Sequence, residues 1–371
     1  MTATTVLALL AGFVVLLGGA EVLIRGAARL AARTGMSPVV IGLTVIAFGT
    51  STPELAIGVG DAISGDSDAG ALAIGNVLGS NIANVLLVLG LAAVVGGSLF
   101  VAQRIIRLDV PIMIGVSLLV LVFVLDNRIG QIEGAVLAAL LVAYLVWTVV
   151  AARRSTPDVV AEYDEALDPD ALRRTPLVVD VGYVVAGIAL LVLGSRLLVD
   201  AAGDIASALG VSDLLVGLTV VAIGTSLPEI ATSVLAALRG ERDLAVGNAI
   251  GSNLFNLLAV LGITALVSPT ALPVDPSAVR IDVPVMVAVA VLCLPVFANG
   301  SVLDRREGVI FVALYAAYVG WLVVDALDHG LRGLYGSVMV FVIVPLVSIT
   351  VVVVWARGRS DAISADAARA G

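Results

Sequence analysis

The feature that most limits this sequence is a succession of apolar stretches, divided by short connections marked with Arg, Asp, Gly or Pro. Crossing the roughly 30 Å hydrocarbon core of a bilayer takes about 20 apolar residues in a helix. Backbone groups in lipid must be satisfied within their own segment, so such stretches read as helices. They fall at 4–31, 38–63, 70–97, 108–126, 131–152, 178–206, 212–238, 243–267, 280–299, 306–327 and 333–356, which predicts eleven spans. Composition agrees: 60% of the 371 residues are hydrophobic and 13% charged, about half the charge of a soluble domain. Residues 5–20 have no basic leader, and Glu21 and Arg25 follow directly, so they read as the first span rather than a signal peptide. The expectation is an all-α integral membrane protein.

Arginine placement orients it. With the N-terminus outside, Arg25, Arg29, Arg33, Arg104, Arg107, Arg153, Arg154, Arg173, Arg174, Arg239, Arg242, Arg305, Arg306, Arg357, Arg359 and Arg369 face inward. Only Arg128, Arg280 and Arg332 face outward, and Arg196 lies within a span. This predicts a multi-pass protein of the cell membrane with a cytoplasmic C-terminus.

The chain also repeats itself. GLTVIAFGTSTPELAIGV at 42–59 and GLTVVAIGTSLPEIATSV at 217–234 share twelve of eighteen positions. AIGNVLGSNIANVLLVLG at 73–90 and AVGNAIGSNLFNLLAVLG at 245–262 share eleven of eighteen. The matches include Gly, Pro, Thr, Ser, Asn and Glu, which apolar composition alone does not produce. Each half holds five spans, an odd number, so the second copy sits inverted. Arg25 and Arg29 align with Asp200 and Asp204, opposite charges on opposite predicted sides. The predicted organisation is a five-helix repeat at 1–152, an acidic cytoplasmic loop at 153–175, an inverted five-helix repeat at 176–328, and an eleventh helix with a tail at 329–371. Inverted repeats meeting at broken helices near the midplane are a hallmark of secondary transporters.

The candidate chemistry centres on Glu54 and Glu229, each inside an apolar stretch, where a carboxylate costs roughly 2.5–3.5 kcal/mol on insertion scales. Pro53 and Pro228 leave the carbonyls of Gly49 and Gly224 without their helical donors. Thr50 and Ser51 precede Glu54 by four and three residues and share its face, as Thr225 and Ser226 do for Glu229. The next helix of each half adds Ser80 with Asn84, and Ser252 with Asn256. These are all oxygen donors, suited to a hard cation such as Ca²⁺ rather than to Zn²⁺ or copper. One Cys, Cys293, and one His, His329, exclude a thiolate or imidazole cluster. A net charge of −9 does not suggest nucleic acid. Gly75, Gly79, Gly247 and Gly251 are expected to let helices pack closely, and Asn76, Asn81, Asn248 and Asn253 to bond between helices.

At GTSTPE (49–54), GNVLGSNIAN (75–84), GTSLPEI (224–230) and GNAIGSNLFN (247–256) the sequence resembles the cation/calcium exchanger superfamily, and within it the prokaryotic sodium/calcium exchangers. The resemblance covers about residues 1–328. It implies two inverted five-helix repeats forming a ten-helix exchanger core, with Na⁺ and Ca²⁺ exchanged by alternating access. By motif position it implies ligands at Thr50, Ser51, Glu54, Ser80 and Asn84, and at Thr225, Ser226, Glu229, Ser252 and Asn256, with backbone carbonyls at Ala47 and Ala222. Three departures stand out. Asn256 occupies a position that is Asp in some relatives and acidic in the potassium-dependent branch. The extra third-helix acid of proton/calcium exchangers is missing. An eleventh span follows the core. The first two favour sodium as the coupling ion.

The alternatives are a proton-coupled exchanger or one selecting Mg²⁺ or Mn²⁺, a cation channel, and a protein holding structural Ca²⁺. No cofactor and no enzymatic activity are expected; oligomeric state is left open. The acidic stretch at 158–170 lacks the spacing of an EF-hand and reads as a solvated linker. Glu21 and Arg25 have the spacing of a helical ion pair, His329 reads as a bystander, and the tail 357–371 as disordered.

Overall fold

A computed structural model describes residues 3–63, 70–152, 176–208, 222–298 and 300–326. The predicted loop at 153–175, residues 212–221 of the seventh span, the eleventh span, His329 and the tail lie outside the described residues.

Helix α1 (Ala3–Thr34) is followed by α2 (Pro38–Thr50) and α3 (Thr52–Ala62), then α4 (Leu72–Gly96), α5 (Ile105–Asp126) and α6 (Gln131–Ala152). The second half gives α7 (Leu177–Ala208), α8 (Ala222–Thr225), α9 (Leu227–Leu238), α10 (Arg242–Val267), α11 (Pro276–Ala298) and α12 (Arg305–Ala326). Among the described residues, eight helices are long and apolar enough to cross a membrane, and the bent α2–α3 pair makes a ninth. Within the described residues the spans start and stop close to the sequence expectation. The fourth and ninth begin a few residues earlier, at Ile105 and Pro276.

The helices sort by burial. α4 and α10 are buried over most of their length, whereas α1, α6, α7 and α12 leave most of theirs at the periphery. A helix apolar all round and still exposed is what lipid contact requires. The exposed Leu7, Phe13, Val14, Ile132, Val142, Trp147, Val178 and Ile310 belong to that surface.

α1 and α7 pack antiparallel through glycines seven residues apart. A Cβ at Gly19 would lie 2.7 Å from the Leu191 amide nitrogen, one at Gly187 2.5 Å from that of Leu23, and one at Gly194 2.5 Å from that of Leu16. The two backbones touch, as small residues allow in membranes. At the Arg-rich end of α1, Arg29 and Arg33 each donate through Nε to the fully buried Asp180, at 2.6 and 2.7 Å. Glu21 pairs with Arg25 at 2.5 Å, the expected helical pair, and also with Arg239.

Among the described residues, four short strands tie loops together. β1 (Leu99–Phe100) pairs antiparallel with β4 (Val302–Leu303), and β2 (Arg128–Ile129) with β3 (Leu272–Pro273). The first pairing joins two loops of the predicted inner side, and the second two loops of the predicted outer side. β1 and β3 follow equivalent helices in the two copies, as do β2 and β4. Each pairing therefore joins the halves with exchanged roles.

Candidate cation site

The site begins with two breaks. The helix axis turns by 43° between Thr50 and Thr52. Ser51, between them, sits at φ −83°, ψ 2°, and Ser226 at φ −87°, ψ 2°, the bridge region where a helix stops propagating. Pro53 and Pro228 occupy the first turn of the helix that follows, where a missing N–H costs nothing. Glu54 and Glu229 lie in those same first turns, where the positive end of a helix dipole favours a carboxylate.

The buried helices α4 and α10 complete it. Asn76, Ser80 and Asn84 follow at i, i+4 and i+8 on one face of α4, as do Asn248, Ser252 and Asn256 on α10. The faces meet the breaks across the halves. Thr50 Oγ1 donates to Asn248 Oδ1 at 3.2 Å and lies 3.3 Å from Ser252 Oγ. Thr225 Oγ1 donates to Asn76 Oδ1 at 3.1 Å. Thr50 and Ser252 both lie beside the Glu229 carboxylate without a full hydrogen bond to it, and the Glu229 charge acts on Glu54. Both α4 and α10 loosen into π-helical turns that begin at Asn84 and Asn256, a distortion common at functional sites.

These polar groups are buried, and several of them have no partner among the described residues. Glu54, Asn84, Ser226, Ser252 and Asn256 have no exposed surface, and Glu229, Thr50, Ser51 and Ser80 almost none. Both carboxylates, the hydroxyls of Ser51, Ser80 and Ser226, and the amides of Asn84 and Asn256 make no hydrogen bond among the described residues. Leaving one such group unpaired costs about 1–3 kcal/mol, more when charged. No arginine reaches either carboxylate among the described residues. A cation is the chemistry that would satisfy the oxygens of this set together. A cavity of about 170 Å³ lies beside it, lined by Pro53, Ser195, Arg196, Asp200, Gly224 and Thr225 among others. It runs from the exposed Asp200 toward the motif threonine.

Two backbone carbonyls at the breaks have partners in the fold. The Ala47 carbonyl accepts the Ser51 amide at 3.0 Å, so one of its lone pairs is used within its own helix, and the Thr50 hydroxyl lies 3.4 Å from it. The Gly224 carbonyl, freed by Pro228, is taken by the Ser195 hydroxyl at 2.7 Å. The position equivalent to Ser195 is Ala20, which has no hydroxyl to offer Gly49. Ala222 opens α8. Close packing at Gly247 and Gly251 is present: a Cβ at Gly251 would lie 2.7 Å from Ala47 Cβ. At Gly75 and Gly79 no described atom lies within 4 Å of the added Cβ. Asn81 and Asn253 each donate to the sulfur of a methionine in the opposite half, Met286 and Met113. Sequence reasoning missed Ser195 and the glycine seam of α1 and α7. The seam was readable in the seven-residue spacing of Gly12, Gly19 and Gly26; Ser195, a serine in an apolar stretch, carried no signal.

The profile of the family described as "Sodium/calcium exchanger protein" matches residues 4–150 and again 179–324. The chain is 39% identical to a putative antiporter, CaxA, of Alkalimonas amylolytica, across 84% of this chain and 95% of that one. It is 30% identical to the sodium/calcium exchanger MaX1 of Methanosarcina acetivorans, across 86% and 98%. Among solved structures, that of the sodium-calcium exchanger NCX_Mj superimposes with a TM-score of 0.72 at 30% identity, covering 86% of this chain and 99% of that one.

Proposed function

Because this chain belongs to the sodium/calcium exchanger protein family, we propose that it exchanges Na⁺ for Ca²⁺ across the cell membrane by alternating access. One observation carries the reading: two fully buried carboxylates, Glu54 and Glu229, face each other's charge within a set of unpaired oxygens. Two like charges with no counter-charge favour holding a cation load at all times. One Ca²⁺ neutralises the pair, and so do several Na⁺. A carrier whose site is costly to leave empty changes sides loaded with one ion or the other, and that constraint is exchange. A channel gains nothing from it.

In this reading Glu54 and Glu229 are the central ligands. Thr50, Ser51, Ser80 and Asn84 serve from the first half, and Thr225, Ser226, Ser252 and Asn256 from the second. The Ala47 and Ala222 carbonyls join only if their helices loosen at the break. The repeats span 1–152 and 176–328, inverted, with the N-terminus outside and the C-terminus cytoplasmic. The exchange of roles between the strand-linked loops, and the two matches to one family profile, support the inversion. Asn at 84 and 256, in place of an acid, supports sodium rather than proton or potassium coupling.

The test is ⁴⁵Ca²⁺ uptake into proteoliposomes loaded with Na⁺. Uptake should require the outward Na⁺ gradient and vanish in Na⁺-free vesicles. Uptake that follows a pH gradient instead would establish proton coupling, and uptake without any counter-ion a channel.

A further inference from the structure

Each motif threonine is held from behind by an asparagine of the other half, but the two asparagines are not held alike. Asn248 belongs to a relay. Its Nδ2 donates to Ser233 Oγ at 2.9 Å, and Ser233 Oγ donates to the Ala245 carbonyl at 3.3 Å. A backbone carbonyl can only accept. Ser233 therefore spends its proton on Ala245, and its oxygen takes one from the amide. That turns the Asn248 carbonyl oxygen toward Thr50. Thr50 has one proton, and the nearer of the two carbonyl oxygens in its reach is that of Asn248, 3.2 Å away against 3.4 Å for Ala47. In its 3.3 Å contact with Ser252 it then accepts, so its lone pair faces the cage of oxygens. Ser233, Asn248, Ala245 and Thr50 are all buried, so water does not compete for these bonds.

Among the described residues the first half has no such relay. Thr225 donates to Asn76, but Asn76 Nδ2 is buried with no partner among the described residues. The residue equivalent to Ser233 is Gly58, and a Cβ there would lie 2.7 Å from Thr264 Oγ1. A side chain there would have to displace Thr264, and the glycine itself has nothing with which to orient Asn76.

We propose that Ser233 and Asn248 are positioning residues that orient the Thr50 hydroxyl as a cation acceptor, and that the two motif threonines are consequently unequal ligands. This rests on Thr50 being an ion ligand, as proposed above. Groups behind a metal ligand fix its orientation, and their loss costs about 10–100-fold in affinity.

The experiment is a comparison of apparent KM for Ca²⁺ in Na⁺-loaded proteoliposomes. Ser233→Ala frees the amide to turn its nitrogen toward Thr50. It should raise KM about tenfold, with a smaller effect on the maximal rate. In an Asn248→Asp background both side-chain oxygens accept, so Thr50 needs no orienting, and adding Ser233→Ala should change KM by less than about twofold. A role in packing alone predicts the same penalty in both backgrounds. Equal penalties, or no penalty in the wild-type background, would overturn the proposal. If Asn248→Asp does not yield folded protein, equilibrium ⁴⁵Ca²⁺ binding in a Thr50→Ala background gives the same comparison: Ser233→Ala should add no further loss there. Wild-type vesicles without Na⁺-dependent uptake would instead refute the exchange reading itself.

Discussion

Replacing either central acid by its amide should separate an ion ligand from a structural residue. Glu54 is fully buried, its two oxygens have no partner, and the charge of Glu229 acts on it. In the ion-free protein, Glu54→Gln keeps the shape and removes a like-charge repulsion, so unfolding should occur at the same or a higher temperature. With Ca²⁺ the result reverses. Removing one partner of a buried charge interaction costs about 3–5 kcal/mol, which is about two to four orders of magnitude in affinity. At a Ca²⁺ concentration of 100 times the wild-type Kd, linkage stabilises the wild type by about 2.7 kcal/mol. If the variant's Kd is about a thousandfold weaker, the same concentration is a tenth of its Kd, and the stabilisation falls below about 0.1 kcal/mol. The assay is thermal unfolding in detergent, monitored by the monodisperse fraction, with and without Ca²⁺. Glu229→Gln should behave alike, and both variants should fail to exchange. A full Ca²⁺-induced shift in either variant would refute the site. A large loss of ion-free stability would show instead that the carboxylate holds the fold.

Other perturbations read other parts of the molecule. Asp180→Asn removes the negative charge that Arg29 and Arg33 share and turns one of its two acceptor oxygens into a donor; it should cost about 3 kcal/mol of ion-free thermal stability in detergent and leave the Ca²⁺-induced shift intact. Gly251→Ala drives a Cβ to 2.7 Å from Ala47 Cβ and 2.8 Å from the Leu43 backbone, and should cost about 1–3 kcal/mol in the same unfolding assay. Ser195→Ala strands the Gly224 carbonyl beside the cavity, for a loss of about 1–3 kcal/mol and a changed transport rate. Cys293 is buried and so silent toward impermeant maleimides. Arg128→Cys should then be labelled from outside intact cells and Gln103→Cys only after permeabilisation; the reverse pattern would overturn the orientation.

Much of this protein is legible one residue at a time. Twenty apolar residues in lipid have one backbone solution, so span positions followed from composition, with α6 beginning and ending where the charges do. The repeat supplied the pairing of motifs without any structure, because Gly, Pro, Asn and Glu do not recur in register by chance. The ligand residue types were legible for the same reason: an acid in an apolar stretch needs a partner, and only Thr, Ser and Asn stood on its face. What each backbone carbonyl does was not legible. Proline frees a carbonyl by a local rule, but Ser195 reaches Gly224 from a helix 29 residues away, and Ala47 holds the amide of its own Ser51. The glycine seam of α1 and α7, the π turns at Asn84 and Asn256, and the direction of the Thr50 proton likewise depend on which helix lies against which. A sequence states which atoms want partners. Hydrogen bonds reach only about 3 Å, so the packing of the two halves decided which of those atoms were satisfied, and which remained for an ion.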